Sequence, residues 1–185
     1  MQTQTQTDKK HMSNNVETYL SFKLGREVFA ASVNHVVNIL ELKPITKVPH
    51  APDYMSGVIN LRGQVLPVID MRIKFGMTPT EPTVDTCIIV LNLEIEGDQV
   101  KLGILVDAVS EVLELEENQV EPSPSIGTKY KAEFIKGMFK QDESFIMLLN
   151  LDLIFTRDEI VVVEEKTSEA DMPKDAEASK DEKKQ

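Results

Sequence analysis

The stretch YMSGVINLRGQVLPVIDMRIKF (residues 54–75) has a second version later in the chain, FIKGMFKQDESFIMLLNLDLIF (134–155). The two align without a gap. Gly57 falls on Gly137, Asp70 on Asn150 and Phe75 on Phe155, an offset of 80. VNHVVNILEL (33–42) likewise falls on VDAVSEVLEL (106–115), an offset of 73, with Asn34 on Asp107 and Leu40-Glu41-Leu42 on Leu113-Glu114-Leu115. Two matched blocks in the same order imply a duplicated unit. The seam between the copies is GMTPTEPTVD (76–85), which has two prolines and no apolar pattern.

The repeated unit reads as β structure. TYLSFKLG (18–25) alternates, with Leu20, Phe22 and Leu24 on one face and Tyr19 out of phase. REVFAASV follows a Gly25–Arg26 turn, and then come VVNILEL, GVINL, VLPVID, TCIIVLNLEIEG, QVKLGILV, SEVLEL, EFIKGMF and SFIMLLNL. Short apolar runs separated by turn residues are the pattern of an all-β barrel or sandwich. VNHVVNIL also fits a helical turn by spacing, but its β-branched content and short length favour a strand. Two short helices are expected, MRIKF capped by Asp70 and LDLIF capped by Asn150.

The chain has 185 residues, enough for one large domain or two small ones. Residues 1–15 and 164–185 carry no apolar periodicity and are expected to be disordered tails, the second of them acidic, leaving 16–163 as the ordered part. Aromatics are 5% with no Trp, so aliphatic residues must build the core. The net charge of −11 argues against a nucleic-acid binder, which normally shows a basic footprint, and against adsorption on an anionic membrane. No signal peptide is visible, and no run approaches the roughly 20 apolar residues that span a bilayer, so a cytoplasmic location is expected.

Reactive centres are hard to find. The three histidines, His11, His35 and His50, show no metal-ligand spacing, and His35 falls on Ala108 in the other copy, so the position does not require imidazole. A lone thiol, Cys87, cannot form a Cys-based zinc site and reads as a small core or groove hydrophobe. There is no GxSxG, P-loop or GxGxxG. No catalytic residue, metal or cofactor is expected, and the chain reads as a binding protein.

Comparing the copies singles out one position. Arg62–Gly63 at the first hairpin tip falls on Asp142–Glu143 at the second, so the two tips present opposite charges. A solvated turn charge is the plain reading of Arg62; a docking contact is the functional one. Gly57 recurs as Gly137, which marks a backbone position that disfavours a Cβ in both copies. Val33, Val36, Val109 and Val112 read as core by spacing alone. Pro67 within a strand suggests an edge or a bulge, and Asp70 reads as a cap.

GVINLRGQVLPVIDMRIKFG closely resembles the signature of the CheW family, the coupling proteins of bacterial chemotaxis. YLSFKLGREVFAASV, ITKVPHAPDYMSGVINLRG and LGILVDAVSEVLEL followed by ENQVEPSP extend the likeness over about residues 16–160. The resemblance implies a mainly β fold of two SH3-like five-stranded β-barrels packed together about a shared apolar core, with a few short helices. The first barrel is expected at about 29–75 and the second at about 86–155, with the strand at about 18–25 completing the fold. It also implies a non-catalytic adaptor between a methyl-accepting chemotaxis receptor tip and the regulatory domain of a CheA-type histidine kinase, recruited from the cytoplasm to membrane-associated receptor arrays.

The receptor tip is expected in a groove lined by Val33, Val36, Cys87, Val109 and Val112, near Gly57 and Arg62. The kinase is expected on the second-barrel surface, through residues the resemblance does not identify, and another kinase unit on the first. Many family members carry a Glu at the position of Asn38 that pairs with the arginine of the NLRG tip; here Asn38 offers no charge. Glu41, three steps along a strand, faces the other way. Arg62 is then either paired differently or free to meet an acidic receptor residue. The same adaptor role in a non-chemotactic pathway such as surface motility is the nearest alternative. A small-barrel nucleic-acid-binding protein ranks far below, because aromatic stacking residues are few.

Overall fold

Alternating apolar residues separated by two-residue turns produce a chain of hairpins, seen in a computed structural model that describes residues 16–122 and 132–155. The strands are β1 (Val16–Leu24), β2 (Glu27–Ser32), β3 (Val36–Glu41), β4 (Met55–Leu61), β5 (Gln64–Asp70), β6 (Cys87–Ile95), β7 (Asp98–Val106), β8 (Ala108–Glu116), β9 (Val120–Glu121), β10 (Ile135–Gln141) and β11 (Ser144–Leu149). Two one-turn helices, α1 (Met71–Lys74) and α2 (Leu151–Ile154), follow β5 and β11. VNHVVNIL splits between both readings: Val33–His35 is a 3-10 turn and Val36 begins a strand. The tails at 1–15 and 164–185 lie outside the described residues.

The strands form two sheets, ordered β8-β1-β2-β11-β10-β9 and β3-β6-β7-β5-β4. Each curls toward closure in the same way. In the first, β8 runs on through residues 117–119 into β9, which pairs with β10. In the second, the chain beyond β3 returns at Thr46, which exchanges backbone hydrogen bonds with Val58 of β4 at 2.9 and 2.8 Å. We call these the terminal barrel (β1, β2, β8–β11) and the middle barrel (β3–β7).

The barrels do not divide the chain at the seam, as the boundaries 29–75 and 86–155 would have it. The middle barrel draws on residues 36–106, and the terminal barrel takes the chain on either side of them. The copies have exchanged hairpins. β1–β2 precedes the first repeated block, yet β1 pairs with β8 and β2 runs parallel to β11. β6–β7 precedes the second block, yet β6 pairs with β3 and β7 runs parallel to β5. Strand periodicity reports which residues face a core, not which neighbour supplies the next ladder, so the exchange leaves no trace in the pattern.

The exchange places apolar side chains in three cores. Ile59, Leu66, Val68, Ile88 and Val90 fill the middle barrel. Tyr19, Ala30, Leu113, Leu115, Ile146 and Leu148 fill the terminal barrel. Between them lies the largest, which takes Leu20, Phe22, Leu24 and Phe29 from one sheet, Ile89, Leu91 and Ile104 from the other, and Met71, Phe75, Leu151 and Ile154 from the helices. Tyr19 is out of phase with Leu20 and Phe22 because β1 is covered on both faces: Tyr19 serves the barrel interior, its neighbours the shared core.

Local signals are met unevenly. Asp70 caps α1, its Oδ1 accepting from the Arg72 and Ile73 amides at 2.8 and 3.2 Å. Asn150 stands at the matching position but its side chain makes no capping bond; its amide donates instead to the Phe134 carbonyl at 2.8 Å. Pro67 is not on an outer strand, yet β7 pairs with β5 only over Val68–Asp70, so the proline has a strand neighbour on one side only.

Candidate functional site

Arg62 and Gly63 form the two-residue tip between β4 and β5, both with left-handed backbone (φ 55° and 83°), the geometry whose twist suits a tight hairpin. The Asn60 side chain steadies the turn by accepting from the Gly63 amide at 2.9 Å. Asp142 occupies the matching place between β10 and β11 with φ 53°. Glu96 at the β6–β7 tip shares this conformation, so backbone strain does not distinguish Arg62. The opposite charge on an equivalent scaffold does. Arg62 is exposed, and among the described residues no carboxylate pairs with it.

Asn38 does not supply a partner. It lies on β3, half-buried, and its Oδ1 accepts from the amide of Ile39 at 2.9 Å. Burial alternates along β3, with Asn38 on the sheltered side and Glu41 on the exposed side, as the sequence spacing required. Of the two possibilities left for Arg62, the free side chain is the one that the described residues display.

Gly57 is buried and takes φ 141°. A Cβ there would strike the Thr46 carbonyl oxygen, within the bridge that closes the middle barrel. Gly137 is equally tight against Val120 and Glu121 of β9, so the recurrence of glycine is explained by barrel closure.

The proposed groove residues divide by burial. Val33, Val36 and Val109 are partly buried and pack against the shared core, which includes Cys87. Cys87 pairs with Glu41 of β3, and burial raises its thiol above the ordinary value while the nearby Val109 backbone draws it part of the way back. All four thus border the inter-barrel core, and Cys87 lies against the Val109 backbone. Val112 is different: it stands 59% exposed on β8, a strand with a neighbour on one side only. Its copy on β3 is Ile39, also exposed, beside exposed Val37. Ile39 and Val37 were not singled out by sequence reasoning, although Ile39 could have been found by carrying Val112 back 73 positions.

Sequence reasoning also missed a pair of charges. Arg72 of α1 grips Asp107, Nε donating to both carboxylate oxygens at 2.8 and 3.0 Å and Nη2 to Oδ2 at 2.7 Å. Its Nη1 donates to the Thr78 carbonyl at 2.9 Å. Asp107 also accepts from the Gly25 amide at 2.6 Å. Burial pushes the Asp107 carboxyl up, but the Arg72 and Gly25 hydrogen bonds outweigh it and hold the group below the usual carboxylate range. The signal was available, since Arg72 falls on Asp152 and Asp107 on Asn34.

A third constellation joins Glu17, Tyr19 and Lys136, with Lys136 Nζ 2.6 Å from Glu17 and 3.2 Å from the Tyr19 hydroxyl. The Lys136 hydrogen bond lowers the Glu17 carboxyl. Among the described residues, no three His, Cys, Asp or Glu side chains converge so as to hold a metal ion. No described helix is long and apolar enough to cross a membrane.

The arrangement of two exchanged barrels has known counterparts. The CheW-like domain model matches residues 18–159. The chemotaxis protein CheW of Rhizobium meliloti (strain 1021) is 36% identical over 150 residues, covering 81% of this chain and 94% of that protein. The Klebsiella aerogenes chemotaxis protein CheW is 32% identical, over 80% of this chain and 87% of its own length. The crystal structure of the scaffolding protein TtCheW from Thermoanaerobacter tengcongensis superposes with a TM-score of 0.68 at 33% identity, covering 80% of this chain and 94% of that one. With the duplicated blocks, the NLRG tip and the paired barrels all accounted for, the chain belongs to the CheW-like domain family.

Proposed function

We propose that this chain is a non-catalytic adaptor that seats a chemoreceptor tip and the regulatory domain of a CheA-type histidine kinase on separate surfaces. As a member of its family it is a chemotaxis scaffolding protein; the two partners, and recruitment to membrane-associated receptor arrays, are what the reading adds. The receptor is assigned to a groove lined by Val33, Val36, Cys87, Val109 and Val112, with Asn38, Gly57 and Arg62 on the middle barrel. The kinase is assigned to the surface of the terminal barrel. Coupling then means biasing the kinase's conformational equilibrium through contacts, since a partner shifts an equilibrium only by binding its states unequally.

The observation that carries the reading is the charge inversion at two equivalent tips. Arg62 and Asp142 occupy matching turns, and Arg62 has no carboxylate partner among the described residues. An arginine held in a strained turn without an internal partner is available for an acidic partner residue.

Co-sedimentation of the chain with receptor fragment and CheA-type kinase tests it. Arg62→Asp and Val112→Asp are the informative variants, because both side chains are exposed and the fold should survive. Val36→Asp is less clean, since Val36 packs against the shared core. Each informative variant is expected to weaken receptor-dependent assembly by about tenfold or more, roughly 1.4 kcal/mol. Wild-type control of the kinase by either variant removes that residue from the site.

A further inference from the structure

We propose that a second copy of this chain completes each half as well as its own other half does, so that two copies fold into an exchanged dimer in which residues 16–75 of one pair with residues 86–155 of the other. The two halves have the same build. The first is the β1–β2 hairpin, β3, the β4–β5 hairpin and α1; the second is the β6–β7 hairpin, β8, the β10–β11 hairpin and α2. Neither half closes a barrel by itself. Among the described residues, four ladders join the halves: β1 to β8, β2 to β11, β3 to β6 and β5 to β7. The ion pairs of Arg72 with Asp107 and of Lys136 with Glu17 also run from one half to the other. The molecule is built like a dimer of repeats whose subunits have been joined end to end. None of these contacts depends on the joint.

The joint is the segment 76–86, from the end of α1 to the start of β6. Its first residues are held by α1: the Met77 amide donates to the Arg72 carbonyl at 2.7 Å, and the Thr78 carbonyl accepts from the Arg72 guanidinium. Its last residues form a local turn, in which the Thr83 amide donates to the Thr86 hydroxyl at 2.8 Å. Residues 79–82 lie between, exposed and outside any strand or helix, with a proline at each end. Proline fixes its own φ and pushes the residue before it to extended geometry, so this stretch crosses to another molecule as readily as it returns to its own. Fully extended, the segment reaches about 36–40 Å. Proximity is what favours the single chain, since a short linker holds the halves at an effective concentration in the millimolar range. The exchanged dimer gains as the protein approaches that concentration, or as the linker becomes too short to return. Interconversion of finished molecules requires breaking all four ladders and the shared core, so the species present when folding ends persist after dilution.

The test is refolding of the full chain from denaturant at micromolar and at millimolar concentration, followed by dilution and measurement of mass by light scattering. Thr18→Cys with Glu114→Cys, in a Cys87→Ala background, reports which chain supplies the partner strand, because Thr18 and Glu114 stand opposite each other in the β1–β8 ladder. In the exchanged dimer the disulfide joins two chains, and a non-reducing gel shows a covalent dimer. In a monomer, or in a dimer of two intact monomers, it stays within one chain. Dimer is expected to be about tenfold or more enriched after refolding at millimolar concentration, and to carry the disulfide between chains. Deletion of residues 79–82 is expected to give the same dimer at micromolar concentration. A dimer whose disulfide stays within one chain overturns the proposal, as does a chain that is monomeric at both concentrations. A folded deletion variant that remains monomeric also counts against it. If the deletion variant does not fold, the full-length chain at the two concentrations decides alone.

Discussion

At the scale of single residues, Arg62 separates function from stability. Its left-handed backbone is a conformation that asparagine and glycine tolerate better than arginine. Arg62→Asn should therefore leave the fold unchanged or stabilise it by up to about 1 kcal/mol in urea titration, while receptor coupling falls. Stability and coupling lost together would mark Arg62 as a turn residue only. Two of the tight glycines, Gly57 and Gly103, differ in kind. At Gly57 the atom in the way is backbone, so Gly57→Ala should cost more than about 2 kcal/mol and loosen the Thr46–Val58 bridge. At Gly103 an added Cβ would lie 2.7 Å from the Cγ2 of Ile88, a side-chain methyl, and the matching position in the terminal barrel is Ala30, fully buried. Gly103→Ala should cost only about 1–3 kcal/mol, the range for overpacking a core. Equal losses at the two sites would undo this distinction.

At the scale of elements, the β1–β2 hairpin is tied to the middle barrel through one carboxylate, and this makes part of the stability pH-dependent. The Asp107 carboxyl titrates lower in the folded chain than its ordinary value of about 3.9. The unfolded chain then binds more protons over that interval, so the contribution is complete above about pH 5 and fades as pH falls through the folded value. Asp107→Asn should lower stability at neutral pH and flatten the acid limb of the stability curve between about pH 5 and the folded titration. An acid limb of unchanged slope would mean that other carboxylates govern it. The 3-10 turn at Val33–His35 and the link at Asp107 are the two crossings between barrels on the main chain, and both were visible as the matched turn residues Asn34 and Asp107.

At the scale of the whole molecule, hairpin exchange makes the two barrels one cooperative body. Each sheet needs strands from both halves of the chain, and Phe29, beside its strand partner Phe22, packs across the shared core on Phe75 with ring centroids 5.4 Å apart. Cutting the exposed seam should show this directly. Residues 16–75 and 86–155 made as separate fragments should each lack a dispersed native-like NMR spectrum, and should regain it when mixed. A fragment that folds alone would show that its half needs no strands from the other. The intact chain should unfold in one transition, with probes in both barrels coincident.

What was legible in the residues follows from local rules. Period-two burial located the strands, Gly and turn pairs located the hairpin tips, and self-similarity announced two equivalent units. Comparing those units also pointed to Arg62, and could have pointed to Arg72 and Asp107 by the same reasoning. Which hairpin completes which barrel was beyond its reach, because parallel ladders between β2 and β11 and between β5 and β7 join segments far apart in the chain through backbone groups that every residue carries. The side chains state that a strand is covered; only the assembled sheets decide by what. The pairing of Arg72 with Asp107 is tertiary for the same reason, since a charge acquires a role only when folding brings its partner within reach.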